Sequence, residues 1–456
     1  MNQNASVVKN SFIIIIASFF NKLLTLASQI YLGRELSIES FSHYASVLGI
    51  VSVVIWMKNG AVIQLAIKDK IEKGNIDLCY KWAKITNVVA FYSIILISLF
   101  YIRDIPIFLL LIAFSINVLF SHFGLSNRVH FVASNKINNL ARYDLGFSFF
   151  YVLSTIIAAF IFRDERAFFF GLIMMTLYDA LFFYKLKVIH KDIELKKCII
   201  NMLPIGKWLL LGSLGATLVM QGSYLILHNG ATIEIIAGFY FAFQLVAAFS
   251  LLLGEAIRKV VMPFFVINNQ DFSLYKKGVL ITSTLAIALT MSTVPLVPSI
   301  VDYLWDGKWN YVIKTVEIFY ITLFLSLIIS ISYAKLESEG RFKSRSILQV
   351  LDGCLLISSV LLSISSNDLY IIAIFVAIRR FIFGLIQIYV PFYYNKEKGY
   401  FMLACNIVFC FSFGCLILWA SKILFYKDAF SAIFSSLFVF FLYIPYVFFL
   451  KKYIEK

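Results

Sequence analysis

Apolar runs of about 18–25 residues alternate with short polar clusters along the whole chain. Each run is long enough to cross the roughly 30 Å hydrocarbon core at 1.5 Å per residue. The pattern predicts about fourteen helices, near residues 11–32, 41–66, 85–102, 105–123, 143–162, 167–184, 207–227, 234–253, 279–300, 312–334, 347–364, 369–390, 401–420 and 429–449. Alternating apolar ten-mers are absent, which excludes a membrane β-barrel. The expected fold class is an all-α polytopic membrane protein. The run from Phe12 follows Lys9, as in a signal peptide. It continues to Leu32 without a small-x-small cleavage site, so it reads as a retained first span.

Composition agrees. Of 456 residues, 61% are hydrophobic and 14% charged, and mean hydropathy is +0.87. Soluble domains carry about 25% charged residues, so a cytosolic enzyme and a nucleic-acid module are excluded. The net charge of +15 falls unevenly. With the N-terminus inside, about 28 Lys and Arg lie in inside segments and about 7 in outside loops, a strong positive-inside bias that puts both termini in the cytoplasm. Outside loops are short, the longest spanning Ser299–Tyr311, and no soluble domain is expected.

Enzyme and metal signatures are missing. The six cysteines form no C-x-x-C pair, and Cys405, Cys410 and Cys415 share no helical face. The five histidines form no H-E-x-x-H, and no glycine-rich phosphate loop occurs. No metal site, no cofactor and no nucleic-acid partner is expected, and no catalytic residue is proposed.

A weak internal repeat sets Ser37-Ile38-Glu39-Ser40-Phe41-Ser42-His43-Tyr44 against Thr232-Ile233-Glu234-Ile235-Ile236-Ala237-Gly238-Phe239, with Ser18 on Ser213 and Ser28 on Ser223. Its placement in equivalent hairpins predicts two pseudo-symmetric six-helix lobes around a central cavity, related about the membrane normal. The expected divisions are 1–200, 201–395 and a C-terminal helix pair, 396–456.

Polar rows inside several spans point to a wet lumen. The first span carries Ser18, Asn21, Lys22, Thr25, Ser28 and Gln29 at spacings of three and four. Lys22 sits near the bilayer centre, where a charge costs about 2.5–3.5 kcal/mol. The seventh span carries Ser213, Thr217, Gln221, Tyr224 and His228. The eighth carries Tyr240, Gln244, Ala248, Glu255 and Arg258. In the twelfth, Arg380 shares a row with Ala373, Ala377, Gly384 and Gln387, while Arg379 lies nearer Phe375, Phe383 and Ile386. Lys58 lies in the second span. A cationic lumen formed by Lys22, Arg380, Lys58, Arg258 and Arg379, lined by Asn21, Thr25, Gln29, Gln221 and Gln244, suits an anionic polar cargo. The competing reading is structural, with snorkelling or ion pairs to Asp352 or Glu317. Trp305 and Trp309 read as an interfacial belt. Gly212 and Gly215 read as close helix contacts.

The stretch Ile30-Tyr31-Leu32-Gly33-Arg34-Glu35-Leu36-Ser37-Ile38-Glu39-Ser40-Phe41-Ser42-His43-Tyr44 resembles the first loop of the polysaccharide flippases. These are the O-antigen and lipid-linked repeat-unit exporters of the MATE-like multidrug/oligosaccharidyl-lipid/polysaccharide (MOP) superfamily. The segments Tyr303–Lys308 and Glu339–Lys343 are similar as well. That family and its lipid II flippase relatives place basic residues in helices one, two and eight, which implies roles for Lys22, Lys58 and Arg258, with Lys where Arg is usual in the first two. The resemblance implies a flippase, not an enzyme, in the bacterial cytoplasmic (inner) membrane. Its cargo would be an undecaprenyl-pyrophosphate oligosaccharide, its surroundings the membrane lipids, and its protein partners a polysaccharide polymerase and a chain-length regulator. The rival readings are a MATE-like drug antiporter and a membrane polymerase or ligase. The latter usually has a large periplasmic loop that this chain lacks.

Overall fold

A computed structural model describes residues 2–62, 66, 76–134, 136–187, 190–267, 271–425, 432–439 and 441. They are mostly helical, with no strand among them. The helices are α1 Asn2–Glu35, α2 Ile38–Ile55, α3 Asp77–Ser98, α4 Ile105–Ala133, α5 Ile137–Phe162, α6 Arg166–Leu186, α7 Leu195–Thr217, α8 Ser223–Gly230, α9 Ile233–Ile267, α10 Phe272–Thr293, α11 Val297–Trp305, α12 Ile313–Ile321, α13 Leu323–Ser338, α14 Phe342–Ser363, α15 Leu369–Asn395 and α16 Tyr400–Phe425. Twelve segments are long and apolar enough to cross a membrane. They correspond one to one with the second through thirteenth predicted spans. The first predicted span lies within α1. In the fourteenth, residues 432–439 are helical and most of the remainder lies outside the described residues.

Hydrocarbon offers backbone groups no partner, so each span satisfies its own and the ends need caps. Asp104 caps α4 by accepting from Ile107 N at 3.2 Å, with proline in the first turn. Asp271 caps α10 through Ser273 N at 2.9 Å, and Asp368 caps α15 through Tyr370 N at 2.8 Å. Ser37 caps α2 by accepting from Ser40 N at 3.1 Å. Both repeat segments open a helix with glutamate in its first turn, Glu39 in α2 and Glu234 in α9.

The second span differs from its prediction. Instead of continuing to 66, α2 stops at Ile55 and is followed by a 3-10 turn, Lys58–Ala61. Asn59 and Gly60 take φ 56° and 57° there, a left-handed conformation open to asparagine and glycine. A hydropathy window passes over such a reversal because the residues around it remain apolar.

Packing divides the chain into two compact units, Met1–Tyr240 with Ser346–Leu361, and Phe241–Arg345 with Leu362–Lys456. In the first, Tyr44 stacks on Phe168 at 3.9 Å between ring centroids. Close backbone contacts hold α7 and α8 in this unit. A Cβ at Gly215 would strike the Gln349 and Val350 backbone of α14, and one at Gly49 would strike the Tyr224 and Leu225 backbone of α8. In the second unit, α13 lies between α10 and α15 in an apolar core that includes Phe324, Ile328, Ile331 and Ile388. Trp305 and Trp309 do not form an interfacial belt. They are 1% and 0% exposed, and Trp309 stacks on Phe241 at 4.2 Å. The left-handed Asp306–Gly307 turn folds both rings inward.

Between α7 and α8, residues Leu218–Gly222 form a π-turn. Its wider winding shifts the register, so the row counted at α-helical spacing from Ser213 to His228 is broken. Gln221 lies in the π-turn itself, and Tyr224 beyond it is fully buried.

Gly49→Leu places a branched side chain where two backbones touch. Overpacking of this kind costs about 1–3 kcal/mol. The variant is expected to melt at lower temperature in detergent than Gly49→Ser, measured by fluorescence-detected size exclusion after heating.

Candidate functional site

The polar row of α1 lies on a helix that packs against α5. Lys22 is half-buried and makes no ion pair or hydrogen bond among the described residues. On either side of it, Asn21 Oδ1 and Gln29 Oε1 are buried acceptors with no hydrogen-bond donor among those residues. Thr25 is already engaged, its Oγ1 donating to Asn21 O at 2.9 Å, and Ser28 is buried. The side chain of Ser18 lies outside the described residues. Gln221 Oε1 in the π-turn is a third buried acceptor without a donor. Such acceptors are rare in native interiors because each forfeits about 1–3 kcal/mol. A helix that carries a cation and acceptors without donors has the chemistry to bind a ligand with both an anionic group and hydroxyl donors.

Lys58 belongs to a different set of contacts. The Asn59–Gly60 reversal turns it inward, and its Nζ donates to Asn117 Oδ1 at 2.8 Å. Asn117 Nδ2 in turn donates to Thr176 Oγ1 of α6 at 3.0 Å. The reversal is itself pinned. Asn59 N donates to Asn87 Oδ1 at 2.6 Å, and Ser121 Oγ to Asn59 Oδ1 at 3.0 Å. These residues belong to a polar spine along α4, comprising Ser115, Asn117, Ser121, His122, Ser126 and Asn127, every one buried. Sequence reasoning missed it. The signal was present as Asn117, Ser121, His122, Ser126 and Asn127 recurring at four and five positions within 105–133.

Further along α4, Arg128 Nε pairs with Asp144 Oδ1 of α5 at 3.0 Å, and Tyr143 donates to Asp179 of α6. Ser126, His190 and Asp77 form a chain with Oγ···Nε2 of 2.8 Å and Nδ1···Oδ1 of 3.2 Å. The distances suit a hydrolytic triad, but Ser126 is fully buried within α4, so no carbonyl reaches Oγ. The chain clasps the segment after α6 to the bundle.

The second unit holds most of the other predicted residues. Arg379 and Arg380 are half-buried on α15, as are Gln244 on α9 and Glu317 on α12. Ala373, Gly384 and Gln387 of the Arg380 row are buried within this unit. Gln387 Nε2 donates to Tyr333 OH at 2.8 Å, and Gly384 meets Leu325. That part of the row is a packing face. The side chain of Arg258 lies outside the described residues. Asp352, on α14, is half-buried in the first unit. A charge cluster that sequence reasoning did not find surrounds the α13–α14 turn. Lys335, 0% exposed, pairs with Glu339 at 3.1 Å. Arg341 reaches the same carboxylate at 2.9 Å, and Arg345 pairs with Glu337.

Where α2 and α6 begin, His43 Nδ1 lies 3.7 Å from Glu165 Oε2, and Ser40 Oγ donates to the same oxygen at 3.3 Å. The His43 imidazole holds the Glu165 carboxyl below its ordinary 4.5.

The chain matches the family described as polysaccharide biosynthesis protein over residues 31–314, more than half its length, and belongs to that family. No curated protein matches it in sequence. Among solved structures it is similar to the lipid II flippase MurJ in an inward closed conformation, with TM-score 0.72, 12% identity, and coverage of 97% of this chain and 99% of that one. It is also similar to an inward-facing multidrug resistance MATE family transporter of the MOP superfamily, with TM-score 0.55, 12% identity, and coverage of 90% and 98%. A third is the Vibrio cholerae MATE transporter VcmN, with TM-score 0.54, 14% identity, and coverage of 88% and 100%. Identities this low establish a shared fold, that of multi-pass membrane transporters.

The Glu165 contact carries a pH signature. A depressed carboxyl value means that its stabilisation is fully present above 4.5 and is lost as pH falls through the folded value. The difference in melting temperature between wild type and Glu165→Gln is expected to be largest near neutral pH and to vanish on acidification. A difference that grows toward acid would contradict this assignment.

Proposed function

We propose that this member of the polysaccharide biosynthesis family is a flippase. Its cargo is an undecaprenyl-pyrophosphate-linked oligosaccharide, an O-antigen or other surface-polysaccharide repeat unit. The protein moves it from the cytoplasmic to the periplasmic leaflet of the inner membrane by alternating access of two lobes. Both termini lie in the cytoplasm, and the protein performs no covalent chemistry. A polymerase and a chain-length regulator would act on the delivered unit.

The observation that carries this reading is the α1 row, with Lys22 lacking a carboxylate partner among the described residues and buried acceptors at Asn21 and Gln29 lacking donors. Pyrophosphate supplies the anion, and sugar hydroxyls supply the donors. Moving each hydroxyl unpaired through hydrocarbon costs about 4–8 kcal/mol, so an oligosaccharide needs a polar path while its prenyl tail stays in lipid. An inside-negative potential assists export of an anion by about 2.3 kcal/mol per charge per 100 mV. Arg380, with Arg379 and Arg258, is proposed as further positive charge for the cargo, and Gln221 and Gln244 as hydroxyl partners. Lys58 is proposed to act through its hydrogen bond to Asn117.

The MATE fold and the buried Asp179 favour a second reading, a proton-coupled exporter of cationic drugs. Against it, the charges acting on Asp179 include Arg128 and Lys58, which disfavour a cationic cargo nearby.

Deleting the gene is expected to trap lipid-linked repeat units in the cytoplasmic leaflet, and undisturbed surface polysaccharide would refute the proposal. Losing one charge-assisted bond of about 1.5–3 kcal/mol weakens cargo binding roughly 10- to 100-fold. Lys22→Ala and Arg380→Ala are therefore expected to cut surface glycan at unchanged membrane abundance, with Lys22→Arg retaining most of it. Normal glycan in Lys22→Ala would remove that residue from the mechanism.

A further inference from the structure

We infer that Asp179 is a proton-binding site inside the first unit, and that its bound proton is donated in a hydrogen bond to Asn127 Oδ1. Asp179 is 6% exposed on α6, two turns before the helix ends at Leu186. Tyr143 of α5 donates to its Oδ1. Asn127 of α4 is 0% exposed, and its Nδ2 donates to Asp179 O at 3.0 Å and Tyr143 OH at 3.3 Å. The other end of that amide, Oδ1, is buried and receives no donor among the described residues. One turn earlier, a Cβ at Gly124 would collide with Asp179 Oδ2. The glycine makes room for the carboxyl against α4, on the side where Asn127 stands.

Asn127 Oδ1 lacks a donor, and the ionised carboxylate buried beside it accepts from Tyr143 on Oδ1 and from no donor on Oδ2 among the described residues. A proton on Asp179 supplies the missing donor. The O–H bond forms on Oδ2, one positive charge enters the site, and no other co-reactant is needed. An alkali cation fits less well, because it requires several oxygen ligands and would share the site with two cations. Every element around Asp179 contributes a charged or titratable group. These are Arg128 from α4, Tyr143 and Asp144 from α5, Lys58 from the 3-10 turn and Tyr178 from α6 itself. Arg128 is engaged by Asp144 at 3.0 Å and Lys58 by Asn117 at 2.8 Å. Neither forms an ion pair with Asp179, whose charge is thus left without a direct counter-ion among the described residues. Protonation removes that charge and lets Asn127 Oδ1 accept.

The inference does not depend on the cargo, and its test uses none. Infrared difference spectra of the full-length protein in lipid bilayers, titrated from alkaline to acid pH, are expected to show a carboxylic-acid C=O band that is lost in Asp179→Asn. The band should persist in Asp144→Asn. It should move in both Asn127→Leu and Tyr143→Phe, each of which removes one hydrogen-bond partner of the neutral acid. Should Asp179→Asn fail to fold, the two shifted bands carry the assignment. Wild-type and Asp179→Asn spectra that coincide across the titration would overturn it. So would bands left unmoved in both partner variants, or a band abolished by sodium at constant pH, the mark of an alkali-cation site.

Discussion

Hydrocarbon solvates neither charges nor hydrogen-bonding groups, and that constraint orders this molecule. It makes every described span a helix, and it forces each polar side chain inside the bundle to find a partner or to serve a ligand. The spine on α4 meets it by closure. Asn59, Asn87 and Ser121 satisfy one another across three elements. The same bonds hold the left-handed reversal at Asn59 and Gly60 that ends α2. A local backbone departure and a buried network thus depend on each other, because the reversal would strand peptide groups without the network, and the network would lack its centre without the reversal.

The architecture was legible because membrane helices are specified by the simplest pattern a sequence can carry, a long apolar run between polar ends. Spans 2 to 13 needed no more than that. Three features escaped for physical reasons. The end of α2 at Ile55 depends on φ at two residues, which hydropathy does not register. The π-turn at Leu218–Gly222 depends on how α7 and α8 are gripped from both sides, by Gly215 against α14 and by Gly49 against Tyr224 and Leu225, contacts distant in sequence. Trp305 and Trp309 have the composition of a membrane-interface pair, but a left-handed Asp306–Gly307 turn sends their rings into the interior.

The candidate site was legible unevenly. The α1 row was visible as periodicity, and a single helix suffices to define it. The α4 spine has comparable periodicity but draws its meaning from partners on α3, α6 and the 3-10 turn. The charged residues of the α13–α14 turn read as a cytoplasmic loop by charge counting. In fact Lys335 is wholly enclosed between Glu339 and the rings of Phe265 and Phe272. Charge counting locates a residue along the membrane normal, and it carries no information about enclosure.

Three lysines meet the cost of a charge inside the bundle in three different ways. Lys335 is fully buried and neutralised by Glu339, so its charge is spent on holding a turn. Lys58 has traded a carboxylate for an amide oxygen and is tied into a network that includes Thr176, one turn from Asp179. Lys22 has neither arrangement among the described residues, although the cost of a charge at its depth is about 2.5–3.5 kcal/mol. A structural lysine would be matched by a carboxylate or replaced by leucine at no loss to the fold. A lysine without a partner among the described residues, on a helix whose Asn21 and Gln29 oxygens also lack donors there, is what the proposed cargo would require, since that cargo is anionic at one end and hydroxylated at many other atoms.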